Sequence, residues 1–226
     1  MTDIGRVAAR LEKEMRAAGS KERAEQAKRY LKSDLRFLGT SMPAIRKVIK
    51  GFSQDEADLT RDELIPLVEE LWSKPIFERR IGAVVLLEGR TELLKLKDLE
   101  VIERLIRESK TWALVDGLAV NVLGRFYLRD PRVGRTLRKW ATDADFWVRR
   151  SSLIAYIRPL KEGRPSDEFA RNADLMLEEK EFFIRKAIGW TLREMSKSRP
   201  AEVRAWIEPR AERASGVTLR EARKYL

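Results

Sequence analysis

Cysteine and histidine are both absent from this 226-residue chain. Their absence removes the thiol nucleophile, the disulfide, the imidazole base and the ordinary zinc site together. Long apolar runs are missing as well. No uncharged stretch reaches the roughly 18 residues needed to span a bilayer, and Met1-Thr2-Asp3-Ile4-Gly5-Arg6 lacks the apolar run of a signal peptide. The expectation is a soluble, cytoplasmic protein. A carboxylate-only metal site would need an acidic cluster, and none stands out, so neither metal nor cofactor is expected. Any catalysis falls to Asp, Glu, Lys, Tyr, Ser or Thr, or to electrostatics.

What is present in abundance is charge, with an excess of one sign. Lys and Arg number 47 against 36 Asp and Glu, a net charge of +11. The excess is uneven: residues 1–110 carry 23 basic and 20 acidic side chains, and residues 111–226 carry 24 and 16. Such a surplus favours a polyanionic partner, either nucleic acid or an anionic membrane surface. With 43% apolar residues a core is available, and the length suits a single domain spanning 1–226.

Helical periodicity runs through nearly the whole chain. Thr60-Arg61-Asp62-Glu63 is a capping box, followed by Leu64, Leu67, Val68, Leu71 and Trp72 on one face. Pro66 is expected to bend that helix. Leu99, Ile102, Leu105 and Ile106 repeat the spacing. Gly19-Ser20 and Gly39 read as helix ends, Ser41-Met42-Pro43 as an N-cap with proline in the first turn, and Pro159–Ser166 and Ser198–Pro200 as short connections. About twelve helices of some 8–18 residues are expected.

One motif recurs. Ile76-Phe77-Glu78-Arg79-Arg80 resembles Phe146-Trp147-Val148-Arg149-Arg150 and Phe182-Phe183-Ile184-Arg185-Lys186. Halving the first interval puts a further start at Thr111, and one period earlier lies Ser41. Five starts about 35 residues apart, each with room for two helices, describe an all-α solenoid of helical hairpins.

Counted from each start, Trp112, Arg150, Asp116 and Trp190 occupy offsets one, four, five and eight, a single helical stripe. Arg80 and Lys186 share the offset of Arg150. Each residue has a plainer alternative. Tryptophans at this spacing usually fill cores, and Arg149 with Arg150 would pass as solvated helix partners. Asp116 is less ordinary, because Thr111–Leu128 contains only one other charge, Arg125. Such a carboxylate is either buried with a partner or presented for use.

Trp112-x-x-x-Asp116, the Phe146-Trp147-x-x-Arg150 helix start and Glu181–Trp190 together resemble the AlkD family of DNA alkylpurine glycosylases. Phe37-Leu38-Gly39 and Thr218–Ala222 are similar to it too, so the resemblance runs from about residue 20 to the C-terminus. It implies a HEAT-like helical repeat, with Trp112, Asp116 and Trp190 as active-site residues. Arg150 matches the DNA-contacting arginine, with Arg149 the alternative should the register shift by one. Arg80, Lys186 and Trp147 are further candidate DNA contacts.

The activity implied is hydrolysis of the N-glycosidic bond of N3- or N7-alkylated purines in duplex DNA by a monomer, without base flipping and without a cofactor. A cationic base leaves neutral, so a chain without histidine is no obstacle. Asp116 would stabilise the oxocarbenium-like sugar and hold water. The competing expectations are a helical-repeat protein that binds damaged or branched DNA without cutting, and a protein-interaction scaffold.

Overall fold

The computed structural model describes residues 3–226. Fifteen α-helical segments follow one another. They are α1 (Ile4–Ala17), α2 (Lys21–Leu31), α3 (Met42–Asp55), α4 (Arg61–Ser73), α5 (Phe77–Gly89), α6 (Leu99–Arg107), α7 (Trp112–Asp116) and α8 (Gly124–Arg129). After them come α9 (Val133–Trp140), α10 (Phe146–Ile154), α11 (Ile157–Lys161), α12 (Asp167–Leu175), α13 (Phe182–Ser196), α14 (Pro200–Ile207) and α15 (Gly216–Ala222). Among the described residues β-pairing amounts to two isolated bridges, Gly19 with Thr40 and Arg36 with Ile76. No helix among them is long and apolar enough to cross a membrane.

The repeat is real at the level of the backbone. Helices α3, α5, α7, α10 and α13 begin at residues 42, 77, 112, 146 and 182, each within one residue of the expected starts. The local signals act as the sequence suggests. Ser41 caps α3, and its hydroxyl accepts from the Ala44 amide. Thr60 and Glu63 close the capping box of α4, and the helix runs on through Pro66. All five apolar residues of its stripe are buried, as are the four of α6.

Two expectations change. Pro159 belongs to α11 and Pro200 opens α14 rather than lying in connections. Both stand in a first turn, where the missing N–H has no intrahelical acceptor and proline is tolerated. The helix count exceeds twelve partly because the apolar stretch after Thr111 is divided into α7, a π-helical segment at Gly117–Leu123, and α8.

The chain forms two compact units: one runs through Lys95 and includes Glu108–Gly117, and the other comprises Leu96–Arg107 and Leu118–Leu226. The first is built around α5, whose residues Phe77–Leu87 are all buried, as expected of a helix enclosed on every side. Helices α1, α3, α4 and α7 pack on it. Helix α2 buries no side chain and is tied mainly at its start, where Arg23 donates to the carbonyls of Gly39 and Ala18. In the second unit α13 is the centre, packed by α10, α11, α14 and α15.

Candidate DNA-repair site

Trp112 and Asp116 open and close α7 in the first unit. Four residues apart, they lie on one helical face, and both are half-buried while Leu114 and Val115 behind them are fully buried. Trp112 is therefore not core; that task falls to Trp72 and Trp140, 2% and 1% exposed. Tyr30, near the end of α2, meets the Trp112 indole edge-on at 5.7 Å and 81°. Tyr30 itself is 70% exposed. The helix changes from α to π hydrogen bonding immediately after Asp116, a local irregularity that recurs at functional sites. Gly117 permits the close approach of α5: a Cβ there would lie 2.9 Å from Val84 Cγ1.

In the second unit, Asp145 caps α10 through the Trp147 amide at 2.7 Å. The two arginines that follow diverge. Arg149 makes a two-pronged pair with Glu179, Nε and Nη2 each at 2.9 Å from a carboxylate oxygen. Its Nη1 donates to the carbonyls of Asp143 and Ala144 in the preceding loop. Arg150 reaches into the first turn of α13. Its Nη1 donates to the Phe183 carbonyl at 2.6 Å, and its guanidinium lies 5.7 Å from the Phe183 ring and 5.9 Å from that of Trp190. Trp190 is half-buried on α13.

The first unit repeats this division of labour. Arg79 reaches back to the carbonyls of Leu71 and Glu70 and to Glu12. Arg80 reaches forward to the Glu108 carbonyl at 2.6 Å, with its guanidinium 5.1 Å from the Trp72 ring. In α13, Arg185 again reaches back, its Nε donating to the Glu179 carbonyl at 2.7 Å. Partner choice thus aligns Arg80 with Arg150 and Arg79 with Arg149, the register read from the sequence.

That register does not expose every basic side chain it aligns. Arg80 is 7% exposed and Arg150 is 3% exposed, while Arg149 is tied to four acceptors. Burial also holds the Arg80 guanidinium below its ordinary range, against the raising effect of Glu108. Helical offset determines the face of a helix and says nothing of depth. A guanidinium placed over an aromatic ring with a carbonyl acceptor can be sunk where an ammonium cannot. Lys186 is at the surface, its Nζ 5.7 Å from the Phe182 ring. Trp147 is half-buried and packs on Phe146 and Phe183 at 4.4 and 4.7 Å.

Sequence reasoning passed over three residues. Tyr30 had one signal, a lone aromatic in the strongly charged helix Lys21–Leu31. Phe183 links Trp147 to Arg150. Glu78, 1% exposed, accepts from the amides of Leu38, Gly39 and Thr40 at 2.8, 2.8 and 3.3 Å. It thereby fixes the Phe37-Leu38-Gly39 segment, whose Phe37 stacks on Phe77 at 5.2 Å.

The architecture is that of an all-helical repeat protein, and three solved structures share it. One described as a predicted DNA alkylation repair enzyme from Enterococcus faecalis has a TM-score of 0.83 at 24% identity, over 92% of this chain and 96% of that one. The smu.31 protein from Streptococcus mutans UA159 gives 0.62 at 16%, over 80% and 97%. AlkD2 from Streptococcus mutans gives 0.60 at 17%, over 99% of each chain. No curated protein matches the sequence. The family model for DNA alkylation repair enzymes matches residues 11–226. The chain belongs to the DNA alkylation repair enzyme family.

Proposed function

We propose that the protein is a DNA glycosylase that releases N3- and N7-alkylated purines from duplex DNA, acting as a monomer. The observation that carries this reading is the pairing of Trp112 and Asp116, one turn apart on a half-exposed face of α7, with a π-helical segment directly after them. An alkylated purine bears a positive charge and departs neutral, so the leaving group requires no general acid. The remaining requirement is stabilisation of the cationic sugar. A carboxylate supplies it and accepts a hydrogen bond from the attacking water. The water oxygen bonds to the anomeric carbon as the C–N bond breaks, the electron pair of that bond stays with the base, and the proton the water loses passes to Asp116 and from it to solvent.

The aromatic residues complete the reading. The Trp112 ring, braced by Tyr30, offers a π-face to a sugar cation, and Trp190 on α13 is a further aromatic candidate; such a ring contributes about 0.5–2 kcal/mol. Both are half-exposed rather than enclosed, which suits an approach along the backbone with the lesion left in the helix. Arg150 acts here by fixing Phe183 and Trp190, since its guanidinium lies 5.7 and 5.9 Å from their ring centroids. The test is incubation of the protein with methylated duplex DNA, followed by chromatography of the freed bases. Release of N3-methyladenine or N7-methylguanine above the spontaneous background is expected. Tight binding of that DNA with no base released would make the protein a passive binder.

A further inference from the structure

The start of α13 carries a surface that the proposed chemistry leaves unused. Phe182 is the first residue of that helix and is 51% exposed. Its ring meets Phe183 edge-on at 5.5 Å. Phe183 contacts Trp147 at 4.7 Å, and Trp147 contacts Phe146 at 4.4 Å. Phe182 is thus the outermost of four linked rings, with Phe183 already filling the inner position beneath the Arg150 guanidinium.

One exposed lysine lies by the ring and a second lies close in sequence. Lys186 lies one turn further along α13 with its Nζ 5.7 Å from the Phe182 centroid, and Lys180 precedes the helix. The carboxylates nearby in the chain are engaged elsewhere: Glu178 with Arg213, Glu179 with Arg149, and Glu181 on the Phe183 amide. Neither Lys180 nor Lys186 has an ion-pair partner among the described residues. An exposed aromatic face beside the Lys186 ammonium complements a polyanion that also offers flat, weakly polar surface.

We propose that Phe182 and Lys186, with Lys180, form a DNA contact of the second unit, additional to the residues assigned to the chemistry. The two ammonium groups neutralise backbone phosphates, and the Phe182 ring packs on the deoxyribose or base edge. For its partner the inference rests on the DNA-repair reading, and it extends the footprint to sequence-independent holding of the duplex.

The experiment measures equilibrium binding of the full chain to an undamaged duplex oligonucleotide across a salt series. The Lys180→Ala/Lys186→Ala double variant should bind more weakly and lose about 1.8 from the slope of log K against log salt, about 0.9 for each phosphate contact. Phe182→Ala should weaken binding about 5-fold or more at fixed salt, the lower range for loss of an aromatic platform. Circular-dichroism melts confirm that the variants fold. Wild-type slope and affinity in folded variants would overturn the proposal. So would absence of duplex binding by the wild type, or a defect confined to anionic phosphatidylserine vesicles. The undamaged duplex separates this contact from catalysis: if binding depends on Phe182 while methylated DNA loses no base, the glycosylase reading fails and the contact stands.

Discussion

Arg149 and Arg150 are neighbours in α10, and both reach the segment 179–183 at the start of the next repeat, but Arg149 also reaches back. Arg149 holds Glu179 and the loop before its own helix. Arg150 holds the first turn of the next repeat through the Phe183 carbonyl. The same backward reach in Arg79, beside a forward-reaching Arg80, makes it a property of the repeat rather than of one site.

The two arginines should therefore fail differently. Arg149→Ala strands the half-buried Glu179 carboxylate and two carbonyls, and should lower stability by about 2–3 kcal/mol in a denaturant titration. Arg150→Ala should reduce base release per folded molecule, because the Phe183 and Trp190 rings lose the guanidinium they share. Arg150→Lys should not restore activity, since an ammonium has neither the flat face nor the forked geometry. Equal loss of stability in both alanine variants, with catalysis intact in each, would contradict this division.

How far the sequence reached can be seen in these residues. The repeat was legible because the same residue types recur about every 35 positions, and Arg79, Arg149 and Arg185 each reach back to a carbonyl before their own helix. Which arginines sink below the surface was not legible. That depends on rings from other helices, Trp72 under Arg80 and Phe183 with Trp190 beside Arg150. Tyr30 escaped for a related reason: its partner Trp112 lies on a helix remote in sequence, and no local pattern joins them.

Gly189, next to Trp190, offers a test of site placement. A Cβ there would lie 2.7 Å from Glu221 Cβ and 2.8 Å from the Thr218 carbonyl oxygen. Helix α15 is pinned at that crossing by the Thr218 hydroxyl on the Arg185 carbonyl and by the Arg193–Glu221 pair. Gly189→Ala must push the two helices apart, at a cost of about 1–3 kcal/mol. Base release should fall more than stability explains, because Trp190 moves with α13. A variant as stable and active as wild type would show that the crossing has slack.

Acid should weaken the second unit through Asp143. Its carboxylate accepts both Arg107 Nη groups, at 2.9 and 2.7 Å, and the Asp145 amide at 2.8 Å. The Arg107 hydrogen bonds, outweighing burial, hold it below the usual carboxylate range. Its contribution is then complete above the unfolded value of about 3.9 and is lost as pH falls through the lower folded value. Asp143→Asn should flatten the decline in melting temperature below about pH 4 while lowering stability at neutral pH. An unchanged acid limb would exclude Asp143 as its source.

Asp116 gives the sharpest test of the proposed chemistry. Asparagine keeps the size of aspartate and most of its hydrogen bonding, but lacks the negative charge. If the carboxylate stabilises a cationic sugar, Asp116→Asn should fold normally and bind lesion-containing DNA at least as well as wild type. Binding improves if anything, because an anion facing phosphates repels them until positive charge develops on the sugar. The rate should fall about 100- to 1,000-fold, equivalent to about 2.7–4 kcal/mol of lost transition-state stabilisation. Single-turnover base release, with spontaneous depurination subtracted, is the measurement. A structural carboxylate behaves otherwise: the variant melts earlier and its folded fraction excises at the wild-type rate. Full single-turnover activity in well-folded Asp116→Asn protein would remove the catalytic assignment, and with it the reason to prefer a glycosylase over a protein that only holds damaged DNA.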